Sequence, residues 1–341
     1  MELSLKYCYV HISYFKIQKL MSKINSYEDA NILINKVLDS PPIVDGKENL
    51  LAKKTVQEGY TFIATNIYNK TFLNWGLWDK KLYKEYCDLH YNFSTLCPYQ
   101  DPLSPLLLYF VLRPLIQQFF FNKRILDVGP GNGISLKMSS QLLKTNYALG
   151  IDLTYQLVCN ASNNFYTENK LNFIQGDAEH LPLENESFDL ITNIESSHLY
   201  PHIELFFAEV FRVLTPGGFF CYSDLERPNK LQSERFDAFL ESRKDLRIIM
   251  KQDITKLVQN AIYMRLITNE KKFTQNCVSM FGTEPNILAV ETRFLAASMG
   301  IGFLPWWKVL RNPVIRSIAK AARADLHWPK KHYFYYPIQK I

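Results

Sequence analysis

The feature that most constrains the fold of this chain is a short apolar segment, residues 124–128, that runs directly into a turn with three glycines. Gly129, Gly131 and Gly133 alternate with other residues along this turn. Because glycine has no Cβ, such a turn lets backbone N–H groups approach a bound molecule closely. The pattern predicts a buried strand, a tight turn and the start of a helix, with a ligand held at the turn.

The spacing of the glycines separates two kinds of ligand. The dinucleotide-binding fingerprint, G-x-G-x-x-G, would place its third glycine at position 134, where this chain has Ile134. The spacing found is G-x-G-x-G, and Asp127 lies two residues before the first glycine. A carboxylate at this point would repel a pyrophosphate but suits a ligand that carries an ammonium group. The turn therefore disfavours a nicotinamide dinucleotide.

Strand-like and helix-like segments alternate at short intervals from Lys123 to Ser223. This alternation is typical of right-handed β-α-β units and a parallel sheet. Thr154 has the character of a helix N-cap, and the Pro-Gly-Gly stretch that ends at Gly218 has the character of a helix stop. We predict strands at 124–128, 147–152, 172–175, 188–193 and 219–223, helices at 133–143, 155–165 and 202–214, and a last strand at 332–336.

Composition and charge restrict the class of protein only broadly. At 341 residues the chain is long for one domain, and its 47% hydrophobic residues are enough for a full core. The aromatic fraction of 14% predicts a large apolar cavity beside that core. A net charge of +6 fits a plain soluble enzyme as well as weak contact with acidic lipid or nucleic acid.

The chain shows no signal for secretion or for spanning a membrane. Its six cysteines are scattered without a C-x-x-C pair, which predicts reduced thiols in a cytoplasmic protein. Residues 1–23 lack the apolar run of a signal peptide. Residues 103–121 are interrupted by proline, arginine and glutamine before the ~20 residues that a span needs, so they predict a core helix. We expect a cytoplasmic protein, with peripheral contact with a membrane left open.

Polar side chains follow four of the predicted strands at their carboxyl ends. Asp127 precedes the glycine turn, Asp152 ends the second strand, Asp177 follows the third and Asn193 ends the fourth. Ligands of open parallel sheets collect at this edge, and a carboxylate there can accept both hydroxyl hydrogens of a ribose. Each aspartate alone could be a helix cap or a turn residue. Their common position predicts one binding site.

The order of these features over about 100 residues resembles that of the class I S-adenosylmethionine-dependent methyltransferases. The resemblance implies an α/β, Rossmann-like fold with a mainly parallel seven-stranded sheet and helices on both faces. It also implies S-adenosyl-L-methionine as the cofactor. The expected regions are an N-terminal helical lid (1–100), a cofactor-binding methyltransferase core (101–225), a helical acceptor-cap insertion after strand five (226–300) and a C-terminal completion of the sheet (301–341).

The resemblance assigns roles to individual residues. Asp127 and the glycine turn would hold the methionine part of the cofactor, Asp152 the ribose, and Asp177 with Ala178 the adenine. Glu195 would either touch the methionine end or only cap its loop. Pro130 replaces a small residue that is frequent in the family, without breaking the match. The expected cofactor set is Asp127, Gly129, Gly131, Asn132, Gly133, Asp152, Leu153, Asp177, Ala178, Asn193, Glu195, Tyr68 and Trp75.

The loop after strand four carries the expected acceptor-side chemistry. Residues 195–198 resemble the corresponding loop of natural-product and lipid O-methyltransferases. These include the sugar O-methyltransferase of rebeccamycin biosynthesis and the phthiotriol/phenolphthiotriol dimycocerosate methyltransferases. Those enzymes pair a histidine in this loop with an aspartate at the end of strand five, and the matching residues here are His198 and Asp224.

A His–Asp pair suits methyl transfer to a hydroxyl group. Much of the rate of such a transfer comes from holding the reactants in line, and an imidazole with a pKa near ~6.5 can take the hydroxyl proton. The carboxylate fixes the tautomer of the imidazole. We expect O-methylation of an apolar small molecule, such as a lipid, polyketide or glycosylated natural product, with His198 as the general base and Asp224 as its partner.

Several alternatives stay open at the level of sequence. His198 could be a structural loop histidine and Asp224 a turn carboxylate. The same fold also supports carbon or nitrogen methylation of the sterol, tocopherol or quinone type, and a protein that binds the cofactor without turnover. A metal site is disfavoured because Pro201 separates His198 from His202 and no cysteine ligand accompanies them. Nucleic-acid methylation is disfavoured because residues 193–196 match neither [DN]-P-P-[YFW] nor Pro-Cys.

Two further regions are rich in aromatic residues. Residues 60–78 resemble the lid helices of lipid and sterol-type relatives, although the same aromatics could pack a core helix. Near the C-terminus, Trp306 and Trp307 precede a helix that should begin at Pro313 with Asn312 as its N-cap. This helix faces either a membrane surface or solvent. Its expected apolar face is Val314, Ile315, Ile318 and Ala322, and its basic stripe is Arg316, Lys320 and Arg323.

Overall fold

The computed structural model describes residues 26–39, 46–66, 73–89, 102–118, 120–226, 232–321 and 331–341. Tyr68, expected in the cofactor site, lies outside the described residues, as do Ala322 and Arg323 of the expected C-terminal helix. The expected boundary near residue 100 also falls outside them, so the division into four regions stays a prediction.

Eight strands form one sheet: β1 (Arg124–Val128), β2 (Tyr147–Asp152), β3 (Leu171–Gln175), β4 (Phe188–Ile194), β5 (Leu214–Glu226), β6 (Leu246–Ile248), β7 (Gln252–Asp253) and β8 (His332–Lys340). Their order is β3-β2-β1-β4-β5-β8-β6, and β7 also pairs with β8. The pairings among β1 to β5 are parallel, whereas β8 runs antiparallel to β5, β6 and β7. The strand order reverses between β1 and β4, because β2 and β3 lie on one side of this pair and β5 on the other. The loops after β1 and β4 therefore leave a crevice at the carboxyl edge of the sheet.

The helices are α1 (Tyr27–Asp39), α2 (Gly46–Asn66), α3 (Lys80–Asp88), α4 (Leu103–Gln117), α5 (Ile134–Leu142), α6 (Tyr155–Phe165), α7 (Ile203–Val213), α8 (Gln232–Glu241), α9 (Thr255–Tyr263), α10 (Glu270–Phe281), α11 (Pro285–Ser298), α12 (Trp306–Arg311) and α13 (Pro313–Ala321). Short turns of 3-10 helix cover Ser197–Leu199 and Ile301–Phe303, and a π-helical turn covers Met264–Thr268.

The sequence predicted the first four strands to within one residue at each end, but the boundary between α7 and β5 was predicted wrongly. The Pro-Gly-Gly stretch lies inside β5, which begins at Leu214 directly after α7. The register shifts between Phe188, which faces Leu214, and Leu190, which faces Phe219, so a bulge absorbs the extra residues. The stretch 227–299 was expected to be mainly helical, and it also contributes β6 and β7. These two short strands share one side of β8, which brings the sheet to eight strands instead of seven.

An apolar core lies on each face of the sheet. Ile125 belongs to one core cluster and its neighbour Leu126 to the other, as expected for a strand buried on both faces. On the second face the rings of Phe207 and Phe236 stack with their centroids 4.0 Å apart. Helix α4 is buried along most of its length in the first core, as the sequence predicted. Within the described residues, no helix is long and apolar enough to cross a membrane.

The N-terminal helices lie across the carboxyl edge of the sheet. The Gln57 amide on α2 donates a hydrogen bond to the carbonyl of Leu153, just after β2, at 2.9 Å. The Asn160 amide on α6 donates to the carbonyl of Ala64 near the C-terminal end of α2, also at 2.9 Å. Helix α2 is thus fixed at its middle and near its C-terminal end over the strand tips, where the sequence predicted a ligand.

Candidate active site

A cleft opens at the carboxyl ends of β1, β2 and β4. The space between its walls, with the open mouth included, is about 1060 Å³. The glycine turn and the strand tips form one wall of this cleft. The opposite wall comes from the N-terminal region and consists of Lys53, Val56, Tyr60, Leu73 and Asn74.

The glycine turn approaches its neighbours so closely that side chains are excluded. Gly129 has φ +77°, and a Cβ at this position would lie 2.1 Å from the Oγ of Ser196. Gly131 has φ +55°, and its Cβ would lie 2.9 Å from Cδ1 of Leu73. Both φ angles lie in the left-handed region that favours glycine. The sequence therefore has glycine where the backbone itself forms the wall of the cleft.

Two buried carboxylates flank this turn. Asp127 accepts hydrogen bonds from the hydroxyls of Ser135 and Thr192, each at 2.9 Å. Asp152 accepts from the backbone N–H of Gly131 at 3.1 Å and of Thr154 at 2.9 Å. Burial raises the pKa of both aspartates from 3.8 to about 6, because the lost hydration outweighs these hydrogen bonds.

Neither carboxylate is neutralised by the protein. In the part of the chain that the structure describes, no ion pair forms at Asp127 or Asp152. Each carboxylate also keeps acceptor capacity beyond the two hydrogen bonds that it receives. A ligand that brings an ammonium group or hydroxyl donors would stabilise the ionised forms, and lower both pKa values.

The turn that follows β3 is held by a lysine from α2. The Nζ atom of Lys53 lies 2.6 Å from a carboxylate oxygen of Asp177 and 2.6 Å from one of Glu179. The second oxygen of Glu179 accepts the backbone N–H of His202 at 2.6 Å. Asp177, Glu179 and His180 also lie close enough together to hold a cation, but the Lys53 ammonium already sits between the two carboxylates. We therefore interpret this cluster as a latch between α2 and the core.

Glu195 occupies the tip of β4 in an unusual conformation. Its φ of +50° is rare for a residue with a Cβ and indicates local strain. Its carboxylate accepts the backbone N–H of Trp75 at 2.9 Å and the hydroxyl of Tyr333 at 2.9 Å. Burial raises the pKa of Glu195 from 4.5 to about 8, and the nearby charge of Arg265 opposes that rise. Arg265 itself donates to the carbonyl of Trp75 at 2.8 Å, so both groups hold the same peptide segment.

His198 and Asp224 are brought together although 26 residues separate them. Nδ1 of His198 lies 2.7 Å from Oδ1 of Asp224, and the two side chains are only 10% and 1% exposed. Asp224 also accepts from the Ser197 hydroxyl at 2.6 Å and from the backbone N–H groups of His198 at 2.9 Å and Leu225 at 2.8 Å. Because a carboxylate can only accept, Nδ1 carries the hydrogen and Nε2 keeps a lone pair.

The pair lies behind the wall of the cleft. His198 does not line the cleft itself, but Ser196, Leu199 and Tyr200 on either side of it do. The hydroxyls of Ser196 and Tyr200 lie 2.8 Å apart, and the Asn193 amide donates to the Tyr200 hydroxyl at 3.1 Å. The 3-10 turn over residues 197–199 thus places the histidine one layer from the ligand space.

Most of the expected cofactor residues come together in the cleft. Those that line it are Asp127, Gly129, Gly131, Asp152, Leu153, Asp177, Ala178 and Glu195. Asn132, Gly133, Asn193 and Trp75 do not line it. Asn193 is fully buried and donates to the carbonyl of Val128 at 2.8 Å, which ties β4 to β1. Trp75 contributes its backbone N–H to Glu195.

Sequence reasoning missed several residues of the cleft and its surroundings. Lys53, Tyr60 and Tyr200 line the cleft, and Tyr333 reaches Glu195 from β8. Tyr60 lay within the aromatic segment expected as a lid, and Tyr200 follows His198 by two residues, so local signals existed for both. No local signal could reveal Lys53 or Tyr333, because their partners are 124 and 138 residues away along the chain.

Comparisons with known proteins agree with this architecture. Residues 126–222, which run from β1 into β5, match the family model described as a methyltransferase domain. The structure of a putative sarcosine dimethylglycine methyltransferase from Galdieria sulphuraria superposes with a TM-score of 0.53. At 12% identity the superposition covers 82% of this chain and 98% of that chain, and it shows the fold alone. The superposition confirms the predicted α/β fold, and the family match shows a methyltransferase domain over residues 126–222.

The similarity in sequence extends to lipid methyltransferases. A phthiotriol/phenolphthiotriol dimycocerosates methyltransferase from Mycobacterium leprae is 42% identical over 131 residues, which is 38% of this chain and 48% of that protein. A fatty-acid O-methyltransferase from Mycolicibacterium smegmatis is 40% identical over 104 residues, which is 30% of this chain and 37% of that protein. The chain thus spans about half the length, or less, of these relatives. The resemblance to this branch that the sequence indicated is confirmed over the shared segment.

Proposed function

We propose that this protein is a methyltransferase that moves a methyl group from S-adenosylmethionine to a hydroxyl of an apolar small molecule. The observation that carries the proposal is the buried pair of His198 and Asp224, with 2.7 Å between Nδ1 and Oδ1, directly behind the cleft at the end of β4. This arrangement supplies a proton acceptor on the side of the cleft where an acceptor molecule would meet the cofactor.

The cleft fits the proposed cofactor. At Gly129 and Gly131 a Cβ would collide with neighbouring atoms, so backbone forms the wall at the point where a ligand must pass closely. The carboxylate of Asp152 can accept the ribose hydroxyls in addition to its two backbone donors. Asp127, also without an ion-pair partner among the described residues, suits the methionine ammonium group. When bound, S-adenosylmethionine supplies an electrophilic methyl group on a sulfonium.

His198 would act as the general base for the acceptor hydroxyl. An aliphatic hydroxyl is a poor nucleophile while it keeps its proton, and Nε2 of His198 has the lone pair to accept it. Asp224 would hold the ring through Nδ1–H and stabilise the imidazolium that forms. The turn over residues 197–199 must shift slightly, or the acceptor must reach past it, for Nε2 to meet the hydroxyl.

The acceptor is proposed to be a lipid or another apolar natural product. The relatives named above are called methyltransferases of phthiotriol dimycocerosates and of fatty acids. The aromatic side chains of Tyr60 and Tyr200 face the cleft, and an apolar acceptor would pack well against them. The same proposal includes cytoplasmic localisation, no metal requirement and no nucleic-acid partner.

Incubation with methyl-labelled S-adenosylmethionine and a lipid extract tests this function, with mass identification of every labelled product. We expect label on the oxygen of an apolar molecule. Label on carbon or nitrogen would establish the alternative chemistry of the sterol or quinone type. Cofactor binding without any labelled product across extracts would favour a scaffold or sensor and refute the proposed activity.

The base is tested by His198→Ala. We expect turnover to fall by about 10²–10⁴-fold while cofactor affinity stays within about twofold, because the base acts only on the acceptor. His332→Ala is the matched control, since His332 forms a similar pair with Asp253 at 3.0 Å on the surface. Turnover of His198→Ala equal to that of the control variant would show that the base is misassigned.

A further inference from the structure

The last two described helices before β8 carry apolar side chains on the outside of the protein. Trp306 is 56% exposed, and Trp307, Leu310 and Val314 are each more than 40% exposed. We call these four residues the tryptophan surface. Val314 was expected on the packed face of α13, but Ile315 and Ala319 pack inward while Val314 points outward. Large apolar groups clustered on one surface usually mark a site of contact.

The two helices that carry the tryptophan surface also carry four cations. Lys308, Arg311, Arg316 and Lys320 all lie on α12 and α13, and residues 301–321 contain no aspartate or glutamate. The Arg311 guanidinium lies 5.3 Å from the ring centroid of Trp307, and the Lys308 ammonium lies 5.7 Å from it. Indole rings beside basic groups match the boundary between lipid headgroups and acyl chains.

We propose that the tryptophan surface docks on an anionic lipid bilayer. The four cations would contact the headgroups while the two indoles and the side chains of Leu310 and Val314 enter the interface. This inference rests on the proposed function, because an apolar acceptor is most concentrated in a lipid phase. An acidic protein partner would need complementary apolar pockets, whereas a bilayer accepts all four side chains without matched pockets.

The tryptophan surface adjoins the candidate active site through a short chain of contacts. The 3-10 turn Ile301–Phe303 leads directly into α12. The ring of Phe303 packs against that of Trp75 with 5.1 Å between centroids. The backbone N–H of Trp75 in turn binds Glu195 on the wall of the cleft. Docking would therefore place the bilayer one layer of side chains from the segment that covers the cleft.

Vesicle flotation with the complete chain tests this surface without requiring any methyl transfer. We expect binding to vesicles that contain phosphatidylglycerol, weak binding to pure phosphatidylcholine, and weaker binding as salt is raised. The double variant Trp306→Ser/Trp307→Ser and the double variant Arg316→Glu/Lys320→Glu should each reduce binding by about tenfold or more, on the order expected from losing two interfacial groups.

Matched control variants change the same chemistry elsewhere. Ile287→Ser removes an apolar side chain that is 54% exposed on α11, and Lys80→Glu/Lys81→Glu reverses two exposed cations on α3. Circular dichroism checks that every variant is folded. Equal loss of binding in test and control variants would overturn the proposal, as would undiminished binding of both test variants. Binding to phosphatidylcholine as strong as to phosphatidylglycerol, or capture of an acidic protein instead of vesicles, would overturn it too.

Discussion

Replacement of Asp224 by asparagine tests the acceptor side most directly, because the change removes a charge and keeps the shape. Four donors converge on the Asp224 carboxylate. Oδ1 accepts from His198 Nδ1 and from the backbone N–H of Leu225. Oδ2 accepts from the Ser197 hydroxyl and from the backbone N–H of His198. An asparagine side chain has only one oxygen, so its amide must face two of these donors.

Each orientation of the amide has a different consequence. If the NH₂ group replaces Oδ1, it donates to His198 Nδ1, and the imidazole must carry its hydrogen on Nε2, where it can no longer accept a proton. The backbone N–H of Leu225 then loses its acceptor. If the NH₂ group replaces Oδ2, the Ser197 hydroxyl can turn to accept from it, but the backbone N–H of His198 loses its acceptor.

The magnitudes follow from these two cases. Either orientation leaves one backbone N–H unpaired in a site where the side chain is 1% exposed, which costs about 1–3 kcal/mol of the free energy of unfolding. The wrong tautomer, together with the lost stabilisation of the imidazolium, should lower kcat by about 10³-fold. Cofactor affinity should stay within about twofold, because Asp127 and Asp152 are unchanged.

Three measurements separate these effects: denaturant unfolding, cofactor calorimetry, and turnover with an identified acceptor across pH. Asp253→Asn in the surface pair with His332 is the control, and we expect it to change stability by less than about 1 kcal/mol. A folded Asp224→Asn protein whose kcat is within about threefold of the parent, with an unchanged pH profile, would refute the assignment of Asp224 as the partner of a catalytic base.

Three further predictions concern the cofactor side. Gly129→Ala should lower cofactor affinity at least ~tenfold by calorimetry, because φ is +77° and the new Cβ would lie 2.1 Å from the Oγ of Ser196. Gly217→Ala is the control, since Gly217 has the same φ and open space around it, and an equal loss of affinity in both variants would contradict the argument. Lys53→Met should destabilise the protein by about 3–5 kcal/mol in denaturant unfolding, because it leaves the buried Glu179 without its cation. A change below about 1 kcal/mol would show that the contact of Lys53 with Asp177 and Glu179 is not needed for stability. Glu195→Gln should flatten the pH dependence of stability, because the pKa of Glu195 is raised from 4.5 to about 8 in the folded state and the stability that this group contributes is lost as pH rises through that interval. Urea unfolding between these pH values checks this, and the same slope of unfolding free energy against pH in both proteins would disprove the assignment.

The fold was predictable because its signals are local. Strand β2 and helix α6 have the predicted boundaries, since an apolar run ends at a carboxylate and Thr154 begins a helix three residues before a new apolar face. The start of β5 was not predictable from local pattern, because Pro-Gly-Gly usually ends a helix and here lies within a bulged strand. Strands β6 and β7 have three and two residues, too few for a periodicity to be detected.

The candidate site was predictable where it depends on strand ends and not where it depends on long-range packing. The sequence placed Asp127, Asp152 and Asp177 at one edge because parallel strands end together. It also paired His198 with Asp224, through a resemblance rather than through spacing. It did not place Lys53 beside Asp177, since helix α2 is brought there by packing between segments that are more than 100 residues apart.

Glu195 connects the two halves of the site, one through its side chain and the other through its backbone. Its backbone N–H donates to the carbonyl of Ser223 at 2.9 Å, on the strand that carries Asp224, while its carboxylate holds the N–H of Trp75. Glu195 makes both contacts with a φ of +50° at the tip of β4. The Glu195 side chain thus holds the segment that covers the cleft and the hydroxyl of Tyr333 on β8, whereas its backbone N–H binds the strand that carries Asp224. Loss of this carboxylate should loosen the segment that covers the cleft, so Glu195→Gln should raise the cofactor KM in steady-state assays.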